Sequence, residues 1–142
     1  VFHFQLVSLT GTIFDGEVHE VILPTLEGEI GVLQDHMPLV SVATSGMIAV
    51  RKNAKDNDAN RDYYAASGGV IDVVGNSLKV LVDEADHSEG IDESQAQKAY
   101  DLAVKMKAEA KDQVSLDHAQ QMVDRSSVRL QVAGLKRRRH RP

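Results

Sequence analysis

Gly90-Ile91-Asp92-Glu93-Ser94-Gln95 divides the chain into two halves of different grammar. Asp92 is a good helix N-cap, and Gln95 three residues later completes a capping box. Upstream the chain is heavily punctuated, since nine of its ten glycines lie at or before Gly90. Downstream, residues 91–133 hold neither glycine nor proline, the residues that mark turns and are costly inside helices. The spacing therefore predicts short strands before this boundary and helices after it.

Working back from the boundary, Ser77–Val82 alternates polar and apolar residues. Residues 70–74 form a second apolar run behind Gly68-Gly69, and Gly75-Asn76 between the two is a two-residue hairpin turn. Residues 53–60 are polar and charged and read as an exposed hairpin loop, with a strand at 47–50 after Gly46. Phe2, Phe4 and Leu6 share one face, and Val18 and Ile22 are expected on one side of a strand over 18–23. Seven or more short strands with regular turn signals predict an N-terminal antiparallel β-sandwich or barrel.

Working forward, Ala96, Ala99, Tyr100, Ala103 and Met106 or Lys107 mark one face of a first helix. Residues 111–115 break the pattern, and Ser115 is expected to cap a second helix. Its buried stripe is read as Leu116, Ala119, Val123, Ser126, Leu130 and Ala133. The fold class is thus a β-sandwich followed by a C-terminal α-helical hairpin, divided as 1–88 and 89–142.

Composition narrows the function. The chain has 142 residues, 42% of them apolar, which suits a packed core. It has no cysteine, so disulfides, thiolate metal sites and a cysteine nucleophile are excluded. The six histidines lack ligand spacing, so no metal site is expected, and there is no Walker loop, HExxH or Gly-x-Ser-x-Gly elbow to suggest an enzyme. Asp83, Glu84 and Asp86 cluster at the sheet-to-helix junction and read as a solvated edge. Lys136, Arg137, Arg138, Arg139 and Arg141 stand together at the C-terminal end. The preceding 135 residues carry 11 basic against 21 acidic side chains, a charge of −10. An acidic body with few aromatic residues excludes nucleic acid as a partner, while the basic tail suits an acidic one.

One further segment, residues 27–39, spends binding-type residues on a turn: Glu-Gly-Glu-Ile-Gly-Val-Leu-Gln-Asp-His-Met-Pro-Leu. Gly28-Glu29-Ile30-Gly31-Val32-Leu33 with His36-Met37-Pro38-Leu39 resembles a motif of the epsilon subunit of F-type ATP synthases. So do Gly46-Met47-Ile48-Ala49-Val50, the strand after Gly68-Gly69, and Ile91-Asp92 ahead of an alanine-rich run. The order of these motifs covers nearly the whole chain. Gln34-Asp35 departs from the family's Pro-Gly before the histidine.

The resemblance implies a non-catalytic rotor subunit of the central stalk that couples proton flow to ATP synthesis and inhibits hydrolysis through its C-terminal helices. It implies contact of the sandwich with the gamma subunit and with the membrane c-ring, the latter through Glu29 and His36. In an extended state the helices would reach the alpha/beta catalytic head, with Lys136, Arg137, Arg138, Arg139 and Arg141 as contacts. No cofactor is expected, but ATP is a candidate regulatory ligand. The family's nucleotide motif is matched by Ile91, Asp92, Ala96, Arg125 and Arg129, with Gln95 where an arginine would stand. The implied location is peripheral, at the cytoplasmic face of a bacterial inner membrane. The alternative is a small nucleotide-sensing module with no role in torque transmission.

Overall fold

A computed structural model describes residues 1–139, apart from the side chains of Ala59 and of residues 136–139. Ten strands precede two helices among the described residues. They are β1 (Phe2–Ser8), β2 (Gly11–Val18), β3 (Glu20–Thr25), β4 (Gly28–Leu33), β5 (Leu39–Ala43), β6 (Gly46–Arg51), β7 (Asp62–Ala66), β8 (Gly69–Val74), β9 (Ser77–Val82) and β10 (Ala85–His87). A short 3-10 turn, Ser88–Gly90, leads to α1 (Glu93–Glu109) and α2 (Gln113–Arg139).

One layer runs β10-β7-β6-β3-β4 and the other β5-β8-β9-β1-β2, joined where Thr25 of β3 meets Ala43 of β5. The pairings are antiparallel except β1 with β9, a parallel pair running from His3↔Ser77 to Val7↔Leu81. That pair escapes sequence reading because its strands lie far apart in the chain. Alternation reveals which face a strand buries but not its partner.

The two inner faces meet in one core that includes Phe2, Phe4, Leu6, Val18, Val21, Leu23, Ile48, Val50, Ile71, Leu78 and Val80. Gly75 takes φ +58 in the predicted turn between β8 and β9. Gly69 is required sterically: a Cβ there would lie 1.8 Å from the carbonyl oxygen of Leu81. The strand expected over 18–23 is interrupted at His19, whose amide bonds to the Arg51 carbonyl at 2.8 Å. The interruption resets the pleat, so Val21 and Leu23 are buried in β3 while Ile22 is only half-buried on the other face.

In α1, Asp92 caps as expected, its carboxylate accepting from the Gln95 amide at 3.1 Å. Ala96 and Ala103 are buried, but Ala99 is exposed where a groove opens between the helices. The second helix starts before Ser115. Asp112 is its capping side chain, accepting from the Ser115 amide at 2.7 Å. Hydrogen bonding by Ser115 holds the Asp112 carboxyl below its usual range. A carboxylate three residues before an amide at a helix start competes well for the cap, and here it wins.

Candidate functional site

The helical hairpin lies against the β6–β7 face of the sandwich. A second, smaller apolar cluster forms there from Ala65 of β7, Ile91, Ala96 of α1, and Val132 and Ala133 of α2. Met47, Tyr63, Val128 and Leu130 pack around it. Ala119, Ser126 and Ala133 of the expected α2 stripe are buried, and Leu116, Val123 and Leu130 are half-buried. Val132, fully buried, lies outside that stripe. One stripe suffices for a helix packed on one neighbour. α2 has two, α1 and the sheet, and its alternating signal is spread between them.

Arg125 and Arg129 are one turn apart on α2 and face the sheet-to-helix junction. Arg125 Nη1 lies 3.5 Å from Glu84 Oε2 and Arg129 Nη1 3.8 Å from Glu84 Oε1. Arg129 also donates a hydrogen bond to Asp86 of β10. Two of the three carboxylates expected to form a solvated edge, Glu84 and Asp86, are therefore counter-charges of α2, while Asp83 is exposed. Sequence separation of about 40 residues hides such pairing, and only the charge balance hints at it. A groove of about 350 Å³ is lined by Glu84, Gln95, Ala96, Ala99, Met122, Arg125, Ser126 and Arg129. Of the five residues that match the nucleotide motif, Ala96, Arg125 and Arg129 line this groove. Ile91 is buried in the small apolar cluster, and the Asp92 carboxylate caps α1.

Next to the junction, Asp62 of β7 accepts from Lys52 Nζ at 2.9 Å and lies 3.2 Å from His87 Nε2. His87 Nδ1 accepts from the Glu89 amide at 3.1 Å, which ties the approach to α1 onto β7. Burial pushes the Asp62 carboxyl up, but the Lys52 and His87 hydrogen bonds and charges together outweigh it and hold it below its usual range. Burial, with the Asp62 charge, pushes the neighbouring Tyr64 phenol up to about 12.

Glu29 and His36 lie along a different edge. β4 pairs with β3 alone and so presents a free edge among the described residues. Glu29 is exposed near its start, opposite Pro24, and half-buried His36 lies just past its end. The four residue steps from Glu29 to Leu33 alone span about 13 Å, so the two are spread along one edge rather than gathered in a pocket. The His36 Nδ1 lies 2.7 Å from the Met37 carbonyl. A carbonyl only accepts, so Nδ1 carries the proton and Nε2 is the acceptor of the neutral ring. Asp35, in the place of the family's glycine, adopts φ +64 and keeps the turn. On the second layer, the register lines up Val42, Val70, Leu81 and Val7 across β5, β8, β9 and β1. Val40, Val42, Val70, Val74 and Leu81 are exposed there. The basic-tail side chains Lys136, Arg137, Arg138 and Arg139, and Arg141 with them, lie outside the described residues.

No group of three or more possible metal ligands occurs among the described residues, and no described helix is long and apolar enough to cross a membrane. Residues 1–88 match the family described as "ATP synthase, Delta/Epsilon chain, beta-sandwich domain". The whole chain is similar to the ATP synthase epsilon chain of Halalkalibacterium halodurans, 32% identical over 133 residues covering 93% of this chain and 96% of that one. It is likewise similar to that of Herpetosiphon aurantiacus, 33% identical over 135 residues covering 95% and 96%. A chain in the mitochondrial ATP synthase structure of Euglena gracilis (OSCP/F1/c-ring) shares the fold with TM-score 0.77 and 24% identity, over 92% of this chain and 79% of that one. Fold and sequence first define an ATP synthase delta/epsilon-type β-sandwich carrying a helical hairpin. The chain belongs to the ATP synthase epsilon-chain family. The epsilon chain is a non-catalytic subunit of that complex.

Proposed function

We propose that the chain works in the rotor as two units, a sandwich over 1–88 that transmits torque and a hairpin over 89–142 that restrains ATP hydrolysis. The observation that carries this reading is the shallow seat of the hairpin. Three of the five buried residues in its docking cluster are alanines, and a groove remains open beside them. Burial contributes about 25 cal/mol per Å² of apolar surface, so small side chains give a weak hold. A weakly seated, self-contained helix pair suits an element with two positions. In the second position it would extend along the gamma subunit into the alpha/beta head, and the basic residues 136–141 would meet acidic surface there.

The sandwich has two surfaces for fixed partners. The apolar row of Val42, Val70 and Leu81 fits the gamma subunit, because an apolar face exposed in the isolated chain gains most from a permanent neighbour. The β4 edge fits the c-ring. Glu29 and His36, spaced along one edge, suit a ring that repeats the same polar loop, and both can form charge-assisted hydrogen bonds. The similarity to chains in ATP synthase structures with the c-ring supports this assignment. It would place the chain peripherally at the membrane surface, on the cytoplasmic side if the source is bacterial.

ATP is assigned no cofactor role. As a regulatory ligand it would have to take Arg125 and Arg129 from Glu84 and Asp86, without the bidentate group an arginine at Gln95 would add. That competition disfavours the reading of the chain as a nucleotide-sensing module. The proposal is tested on the whole complex with the chain ended after Gly90. Hydrolysis should rise while the complex remains assembled. Unchanged hydrolysis rejects the regulatory role, and failed assembly makes the helices structural.

A further inference from the structure

Resting on the reading of the hairpin as movable, we infer that Glu84 and Asp86 form a carboxylate latch. It fastens α2 to the sandwich through Arg125 and Arg129, without a bound ligand. The sandwich half of the latch is fixed by its backbone. The Ser67 amide donates to the Glu84 carbonyl at 2.9 Å, the Ser67 hydroxyl donates to the same oxygen at 3.1 Å, and the Glu84 amide donates to that hydroxyl at 2.8 Å. Asp86 is held in β10, in register with Ala65 of β7. The two carboxylates are thus positioned independently of the helices.

The movable half consists of two guanidinium groups four residues apart, hence on one face of α2. Glu84 faces both arginines and Asp86 bonds to Arg129, so two charges meet two. The pairs are partly shielded, with Arg129 the more covered at 28% side-chain exposure against 55% for Arg125. They sit directly beside the small apolar cluster, so charge supplements the hold that alanines leave weak. Because the pairs reach solvent, the latch is sensitive to ionic strength. The hairpin should therefore release more readily in salt, which weakens the ion pairs while leaving the apolar contact in place.

The test is amide hydrogen exchange on the full chain at low and high salt, comparing 125–133 of α2 with β1 and β9 as internal controls. The Glu84→Gln/Asp86→Asn variant should speed exchange in α2 by roughly two- to five-fold per pair lost, the range for partly exposed ion pairs, with the controls unchanged. High salt should reproduce the effect in the native chain and add little to the variant. Unchanged exchange in α2 would overturn the latch. If the variant exposes the controls as well, the swap Asp86→Arg/Arg129→Asp decides: restored protection in α2 supports the latch, and protection still lost overturns it. This readout concerns docking in the isolated chain, so it can fail while truncation still relieves hydrolysis, and the reverse.

Discussion

Val132→Ala isolates the seat of the hairpin from the rest of the molecule. Val132 is fully buried, and it packs with Ala65, Ile91, Ala96 and Ala133 in a cluster separate from the sandwich core. The substitution removes two methyl groups at about 0.8 kcal/mol each, and the gap left behind raises the total to roughly 2 kcal/mol. At 1.4 kcal/mol per tenfold, the ratio of docked to undocked hairpin should fall by roughly 15- to 30-fold. The core around Phe4, Leu6 and Val80 loses no contact, so the sandwich should keep its stability. Residue-resolved hydrogen exchange reads both quantities in one experiment. Amides of α2 should open faster by that factor, while those of β1 and β9 should not change. A uniform loss of protection across sandwich and helices would refute the reasoning, because it would make the chain one cooperative unit with no separately movable hairpin.

Gly69→Ala should prevent the sandwich from forming in its native register, since the added Cβ would lie 1.8 Å from a backbone oxygen. A cost above about 3 kcal/mol by urea denaturation is expected, and a loss below 1 would contradict the packing. Asp62 has its folded pKa lowered, so its contribution is complete above the unfolded value of about 3.8 and is lost as pH falls through the folded value. Asp62→Asn should therefore cost about 1 kcal/mol at neutral pH, discounted for the exposed Lys52, and should leave a shallower acid limb in the stability profile. Removing residues 136–142 should weaken inhibition of hydrolysis in the whole complex, more at low salt than at high, and equal inhibition at both would remove the electrostatic role.

Much of the fold is legible in the sequence because period-two alternation and glycine placement report local physics. Phe2, Phe4 and Leu6 point inward as their spacing requires, Gly75 takes the expected turn, and Asp92 caps α1. What escapes is set by partners distant in sequence. No local pattern tells β1 to lie parallel to β9, or Val132 to join a cluster built from both the sheet and α1. The junction at His19 flips Ile22 because a single bend reverses every later side chain. Asp112 wins the cap from Ser115 by a local competition that composition leaves open. At the candidate site, Arg125 and Arg129 are legible as a pair on one helix face. Their partners Glu84 and Asp86 are not, since surface charges without a known neighbour look solvated. The resemblance singles out Glu29 and His36, and the structure adds that they are spread along a free edge rather than gathered in a cleft.

The most direct test of the movable hairpin is a distance in the assembled complex, between spin labels on Ser127 of α2 and Lys55 in the loop between β6 and β7. Under conditions that inhibit hydrolysis a longer distance should appear beside the docked one, and it should vanish when inhibition is relieved. A single, unchanged distance in both conditions, with inhibition still present, would contradict a hairpin that regulates by leaving its seat.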